Sequence, residues 1–279
     1  MKKRKIRRTF SIFCLNMVYF AICFIALVPV LYAFLLSVSD GSSAFAGGPG
    51  AGGFTLDNYK RIITEEPFLL WLKNSAVLSL GTMVLAMGFA TTASYAFSRY
   101  RFKGRMKILF LLVLLNAFPQ ILSMFAIFRL FKTFGLLDSN IGLIIVYAGS
   151  MCIFSIWNLK GYFDTIPAEI EEASKIDGAS DFTMLVKIVL PLARPAIIVT
   201  AVMVLIFVWN EYLFATTFLL NGDKYTLAGG LYQLQANDYS RSWSLFTAAA
   251  VLVSAPILVI FFCIQKYMVS GLTAGGVKG

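Results

Sequence analysis

The chain has 279 residues, of which 59% are hydrophobic and only 14% are charged, and its formal net charge is +10. This composition excludes an ordinary water-soluble domain, because apolar runs of about 20 residues are what a helix needs to cross the hydrocarbon core of a bilayer. The runs are continuous rather than alternating in polarity, which excludes the strands of a membrane barrel. We therefore predict an all-α membrane protein.

Six apolar runs are long enough to be transmembrane helices, so both termini are expected on the same side of the membrane. These predicted spans cover residues 9–36, 71–97, 108–131, 141–159, 195–220 and 245–264. Seventeen of the 24 lysines and arginines fall on the side of the termini. The positive-inside rule then places both termini in the cytoplasm.

The basic charge has a simple interpretation, because it is concentrated at the predicted membrane edges. Lysine and arginine at these positions attract anionic lipid headgroups and fix the orientation of the chain in the bilayer. No basic patch with interleaved aromatic residues is present, so nucleic acid is not expected as a partner.

Composition also divides the chain into three parts. Residues 1–70 hold the first span and a glycine- and serine-rich outer loop that we expect to be flexible. Residues 71–267 hold the other five spans and form the core. Residues 268–279 are a cytoplasmic tail, which its composition alone predicts to be disordered.

Several residues inside the spans predict how the helices pack and bend. Pro119 and Pro256 lie within the third and sixth spans, so each is expected to bend its helix. The second span has small residues at four-residue spacing, which predict a face where another helix packs closely. They are Ala86, Ala90, Ser94 and Ser98.

The segment 167–191 is a polar loop between two apolar spans, so it must fold in water beside the membrane. Pro167 and the acidic residues after it predict the start of a helix, and Gly178 predicts a left-handed turn at its end. A second helix is expected from about residue 181 to Leu190, where Pro191 would end it. Physical reasoning alone leaves open whether this helix-turn-helix binds a partner or is a solvated interfacial loop.

The spacing within this segment resembles the EAA loop of ABC importer permeases. A Glu-Ala pair is followed by a glycine and then by Ile-x-Leu-Pro, with Ser174 as the one departure from the pattern. In that family the loop is the coupling helix that docks into a cleft on the cytoplasmic ATPase. The resemblance assigns ATPase coupling to Glu172, Ala173, Asp177, Gly178, Ile188, Leu190 and Pro191.

The element Trp209-Asn210-Glu211-Tyr212 resembles a segment of carbohydrate-importer permeases. Glu211 is the only acidic residue within a predicted span, and a charge there costs roughly 2.5–3.5 kcal/mol, so it normally faces a cavity or a partner. Asn210 and Glu211 are candidates for hydrogen bonds to sugar hydroxyls in transit, and Asn116 and Gln120 are weaker candidates. The alternatives for Glu211 are a place near the outer interface or a pair with a second permease.

The tail, residues 271–279, resembles that of maltose-importer permeases of the MalG type and of related sugar permeases. In that family the tail enters the interface between the two ATPase subunits. The resemblance implies such a contact for Thr273, Gly275, Gly276 and Lys278.

Taken over nearly the whole chain, the resemblance implies a type I ABC importer permease fold with six transmembrane helices and a cytoplasmic coupling helix. It implies one permease subunit of a carbohydrate importer, with malto-oligosaccharides as the favoured substrates, in the cell membrane of a prokaryote. The partners implied are a second, different permease, two cytoplasmic ATPase subunits and an extracytoplasmic sugar-binding protein. The alternatives are a self-sufficient secondary transporter and a scaffold permease whose partner carries the substrate site.

The sequence lacks several motifs that ATP binding, catalysis or metal binding would require. The chain has no Gly-x-x-x-x-Gly-Lys-Ser/Thr run to hold ATP phosphates. It also has no histidine, the usual general base, so we do not expect an enzyme. The four cysteines are far apart and lack the spacing of metal ligands. Neither a metal nor another cofactor is expected.

Overall fold

The structure, a computed structural model, describes residues 2–40, 53–236 and 242–276. It describes the side chains of Phe10 and of residues 12–40, 53–235 and 242–267. Within this part of the chain the secondary structure is helical, apart from one isolated bridge between Ser39 and Phe54. Most of the predicted flexible outer loop, residues 41–52, lies outside the described residues.

The helices follow one another with short connections. In chain order they are α1 (Lys2–Ser37), α2 (Asp57–Thr64), α3 (Phe68–Arg99), α4 (Arg105–Asn116), α5 (Gln120–Phe134), α6 (Asn140–Phe163), α7 (Ala168–Ile176), α8 (Asp181–Met184), a π-helical turn (Leu185–Val189), α9 (Leu190–Leu192), α10 (Arg194–Asn210), α11 (Leu213–Phe218), a 3₁₀ turn (Gly222–Lys224), α12 (Leu227–Ala236) and α13 (Trp243–Gly276).

The prediction of six spans is confirmed when bent helices are counted. Within the described residues, α1, α3, α6 and α13 are each long and apolar enough to cross a membrane. Helices α4 and α5 form a fifth span that is bent by 90°. Helix α10 belongs to the sixth, and the helical segment Asp181–Leu192 that precedes it is bent away by 80°.

The chain forms two compact units. The first comprises residues 1–67 and 231–254, and the second residues 68–230 and 255–279. In the first unit, α2 is held at the end of α1, because the side-chain amide of Asn58 donates to the carbonyl oxygens of Ser37 and Ser39, both at 3.0 Å. The hydroxyls of Ser37 and Tyr59 add a third hydrogen bond at 2.6 Å.

The second unit is built around α3, which packs against α6 and α10. The predicted small-residue face is confirmed, because Ala86, Ala90 and Ser94 are completely buried. Ser98 is half-buried at the end of the same line. Small side chains let helix backbones approach closely, and in lipid this packing replaces the hydrophobic effect that holds soluble helices together.

Of the expectations about proline and helix ends, one is confirmed and two are wrong. Pro119 does interrupt its span, between α4 and α5. Helix α13 continues through Pro256, and the bend expected there stays a prediction. Helical structure also continues through Pro191 to Leu192. The π-helical turn just before Pro191 explains this, because such a turn rearranges the backbone hydrogen bonds that proline would otherwise break. The fifth predicted span, expected to reach residue 220, ends as a helix at Asn210.

Candidate functional site

The segment 167–191 forms the predicted helix, turn and helix. Helix α7 ends in a Schellman motif, in which the N–H of Gly178 donates to the carbonyl of Lys175 and the N–H of Ala179 donates to that of Ser174, both at 3.0 Å. Gly178 has the left-handed φ of +83° that this motif requires. The hydroxyl of Ser180 then caps α8 by accepting from the N–H of Thr183 at 3.3 Å.

The seven predicted coupling residues divide into two groups. Glu172, Ala173, Asp177, Gly178 and Pro191 are exposed. Ile188 and Leu190 are partly buried and pack against the core of the second unit, so they hold the second helix to the span bundle.

The exposed side of this unit carries two large apolar side chains that sequence reasoning did not single out. Ile176 is 88% exposed and Phe182 is 75% exposed, one on each side of the Gly178 turn. Beside the exposed acidic residues, they give the turn a mixed apolar and charged surface of the kind that marks interaction sites.

Glu171, not Glu172, is the glutamate that fixes the segment to the membrane helices. It is 6% exposed. Its Oε1 accepts from Nε of Arg99 at 2.5 Å, and its Oε2 accepts from the hydroxyl of Tyr95 at 3.1 Å. Arg99 also donates through Nη2 to the carbonyl of Ile166 at 2.9 Å. The last turn of α3 therefore holds both α7 and the residue just before Pro167.

Two further contacts attach neighbouring parts of the segment to the same end of α3. The hydroxyl of Ser98 donates to Asp164 at 2.7 Å, and the hydroxyl of Tyr100 donates to Asp181 at 2.9 Å. The hydrogen bond to the Asp181 carboxylate raises the pKa of Tyr100, as burial does to a smaller extent. The helix-turn-helix is thus fastened to α3 before α7, on α7 and at the start of α8.

A cavity of about 210 Å³ lies in the second unit where α4 and α5 separate. Asn116 and Gln120, two of the four residues predicted to line a path, come together here on Ser150 of α6. The side-chain amide of Asn116 donates to the Ser150 carbonyl at 3.1 Å, and that of Gln120 donates to the Ser150 hydroxyl at 2.8 Å.

The structure places the other two path candidates differently. Glu211 lies between α10 and α11 and accepts from the N–H groups of Phe214 at 2.9 Å and Ala215 at 3.2 Å, so it caps α11. The hydroxyl of Tyr147 donates to it as well. Asn210 donates to the carbonyl of Ile206 in its own helix. Neither Asn210 nor Glu211 lines the cavity, although Tyr147 does.

The tail residues are described only in part. The backbone of Thr273, Gly275 and Gly276 belongs to the end of α13, so the disorder expected from composition alone is wrong up to Gly276. Their side chains, and all of Lys278, lie outside the described residues. Before the tail, the guanidinium of Arg194 lies 6.0 Å from the ring centre of Tyr267, which places that part of α13 beside the start of α10.

Six apolar spans, a polar helix-turn-helix fastened to one of them and a cavity at a broken helix define a membrane transport component. Residues 87–273 match the family described as the inner membrane component of binding-protein-dependent transport systems, and the chain belongs to this family. Its fold is that of a type I ABC importer permease. The chain is therefore a multi-pass protein of the plasma membrane that works with a substrate-binding protein.

Individual relatives agree with this assignment. The maltodextrin transport permease MdxG of Bacillus subtilis is 38% identical over 90% of this chain and 92% of its own length. The galactooligosaccharide permease GanQ of the same organism is 35% identical over 99% of this chain and 98% of its own length. Among solved structures, a bacterial ABC transporter that imports the acidic polysaccharide alginate has a chain with a TM-score of 0.75 and 27% identity, covering 93% of this chain and 96% of that one.

Proposed function

We propose that this chain is one permease subunit of an ATP-driven carbohydrate importer, with malto-oligosaccharides as the favoured substrates. The observation that carries the proposal is the exposed Gly178 turn, flanked by Ile176 and Phe182 and fixed to α3 through Glu171. The printed functions of the relatives, maltodextrin and galactooligosaccharide transport, supply the substrate class.

The proposed assembly contains a second permease, two cytoplasmic ATPase subunits and an extracytoplasmic sugar-binding protein. The distribution of lysine and arginine supports cytoplasmic termini and a cytoplasmic Gly178 turn. ATP is bound by the partner subunits, since this chain has no phosphate-binding loop. Closure of the ATPase dimer would move the docked turn, and the ties from α7 and α8 to α3 would carry this motion into alternating access of the spans.

A secondary transporter is the weaker proposal. It would need a charged or polar site near the middle of the membrane to bind a coupling ion. Glu211 is the acidic candidate, and both of its oxygens already accept hydrogen bonds from Phe214, Ala215 and Tyr147. Because both carboxylate oxygens already accept hydrogen bonds, a structural role of Glu211 is favoured over the binding of a coupling ion.

The coupling role is tested by Gly178→Asp and Glu172→Lys. We expect both variants to insert normally into the membrane but to abolish sugar uptake, because each changes the charge of an exposed docking surface. Uptake of labelled maltotriose into cells and recovery of the ATPase in a mild-detergent pull-down are the measurements. Normal uptake by either variant would contradict the coupling role.

The matched control for Gly178→Asp is Gly53→Asp. Gly53 has a φ of +91°, close to the +83° of Gly178, and a Cβ at either position would meet no atom within 4 Å. Both substitutions therefore carry the same backbone cost of about 1–2 kcal/mol. Because Gly53 lies outside the segment 167–191, its variant should retain uptake and ATPase recovery.

A further inference from the structure

We propose that this subunit itself binds one ring of a neutral sugar in the cavity at the α4–α5 break. The inference rests on the proposed function and deepens it, because it places part of the substrate site on this chain and not only on a partner permease. It is carried by the size of the cavity, the chemistry of its lining and the broken helix that opens it.

The cavity has the dimensions of a small subsite. Its volume of about 210 Å³ is below the roughly 300–1,000 Å³ of pockets that hold drug-sized ligands. An oligosaccharide would not fit as a whole, whereas a single pyranose ring would. The other rings of the oligosaccharide would continue into the transport path. All the lining residues belong to the second unit.

The polar side chains of the lining match sugar hydroxyls. Asn116 and Gln120 each use one amide N–H on Ser150, and within the described chain no hydrogen bond to either amide oxygen is formed. Each amide therefore keeps an acceptor and a second N–H. Ser123 adds a hydroxyl to the lining. Hydroxyl groups both donate and accept, so a sugar ring can use every one of these groups.

The remaining lining is uncharged, and it is apolar apart from Tyr147, whose hydroxyl already donates to Glu211. Phe118, which is 56% exposed, lies in the break itself, and Phe207 and Phe214 also line the cavity. Flat aromatic side chains suit the C–H face of a pyranose, while the amides suit its edge. No lysine, arginine, aspartate or glutamate lines the cavity, so a carboxylated sugar would lose its hydration without gaining a counter-charge.

The broken helix supports the same location. Non-helical backbone at membrane depth is tolerated only where it is buried in protein or lines a water-filled cavity. The interruption from Ala117 to Pro119 opens directly onto this cavity, since Asn116, Phe118 and Gln120 all line it.

Gly149 is a position where a side chain can be added to the cavity lining without a clash at Cβ. It lies in α6, lines the cavity, and a Cβ built on it would meet no atom within 4 Å. The series Gly149→Ala, Gly149→Val and Gly149→Leu should raise the KM for maltotriose uptake in steps, reaching at least tenfold for leucine. The matched control is Gly161→Leu, also in α6 with open space around its Cβ but outside the lining, and it should leave the KM unchanged.

The experiment measures labelled maltotriose uptake by the complete importer, with the amount of assembled complex checked by pull-down. Should Gly149→Leu fail to assemble, Gln120→Met keeps the side-chain length and removes the hydrogen bonds, and the same rise in KM is expected. A trimer of a uronic acid should not compete with maltotriose. Two results would overturn the proposed sugar subsite while leaving the proposed function intact. One is a KM that stays at the wild-type value in assembled Gly149→Leu or Gln120→Met, and the other is equal competition by the acidic trimer. Absence of ATP-driven sugar uptake by the wild type would overturn the proposed function first.

Discussion

Replacing Glu171 with glutamine is expected to abolish ATP-driven transport while leaving the chain inserted in the membrane. The side chains of Glu171 and Arg99 are only 9% and 16% exposed, so the variant leaves the Arg99 charge buried without its partner. Breaking a buried ion pair costs roughly 3–5 kcal/mol. We expect this cost to appear as a lower Tm of the purified assembly and as loss of maltotriose uptake, because α7 is no longer held to α3.

The control for this prediction makes the same chemical change in an exposed pair. Arg61 and Glu65 are 3.1 Å apart, with side chains 49% and 58% exposed, so Glu65→Gln should cost less than about 1 kcal/mol. The double variant Arg99→Met with Glu171→Met should recover much of the Tm, because no unpaired charge remains. Equal, small Tm changes for Glu171→Gln and Glu65→Gln would show that the Arg99 pair does not hold α7.

Gly230→Ala is expected to destabilise the second unit strongly. An added Cβ at Gly230 would lie 2.3 Å from two ring carbons of Trp71, a distance at which atoms overlap. Trp71 is 3% exposed in the first turns of α3, and its rigid ring cannot move aside without shifting the helix. Overpacking of this kind costs typically 1–3 kcal/mol or more, and size-exclusion chromatography of the detergent-solubilised chain should show loss of the folded peak.

Gly229 provides a control one residue away in the same helix. A Cβ there would meet its nearest neighbours at 3.5–3.9 Å, which is ordinary van der Waals contact, so Gly229→Ala should behave like the wild type. Trp71→Leu combined with Gly230→Ala should restore part of the folded peak by removing the ring. A folded Gly230→Ala chain with an unchanged elution profile would be incompatible with this packing.

Features that depend on local sequence were predictable. The six spans follow from the length of apolar runs, and the turn at Gly178 follows from a glycine placed just after a short helix. The sequence also singled out Asn116 and Gln120 as path candidates on either side of Pro119, and the structure brings both amides together on Ser150, while their role in a path stays a prediction.

Features that depend on distant partners were not predictable. Glu171 and Glu172 are adjacent and chemically identical, and only the position of Arg99, 72 residues earlier, decides that Glu171 is the buried one. The end of α10 at Asn210 depends likewise on Glu211 capping α11 and accepting from Tyr147. Ser150 and Gly149 carry no sequence pattern that would have placed them at the cavity.

The π-helical turn at Leu185–Val189 sets the rotational phase of the segment that precedes the 80° bend. A wide turn, in which the N–H of Leu190 donates to the carbonyl of Leu185, holds about one residue more than an α-helical turn, and one residue corresponds to about 100° of rotation. Deleting Val186 would remove that extra residue and turn Phe182 to a different side of the helix relative to Pro191. The deletion would keep every residue proposed for ATPase coupling but turn the exposed side chains before the π-helical turn to a different side of the helix. A single-codon deletion would therefore test the orientation of this surface separately from its residues.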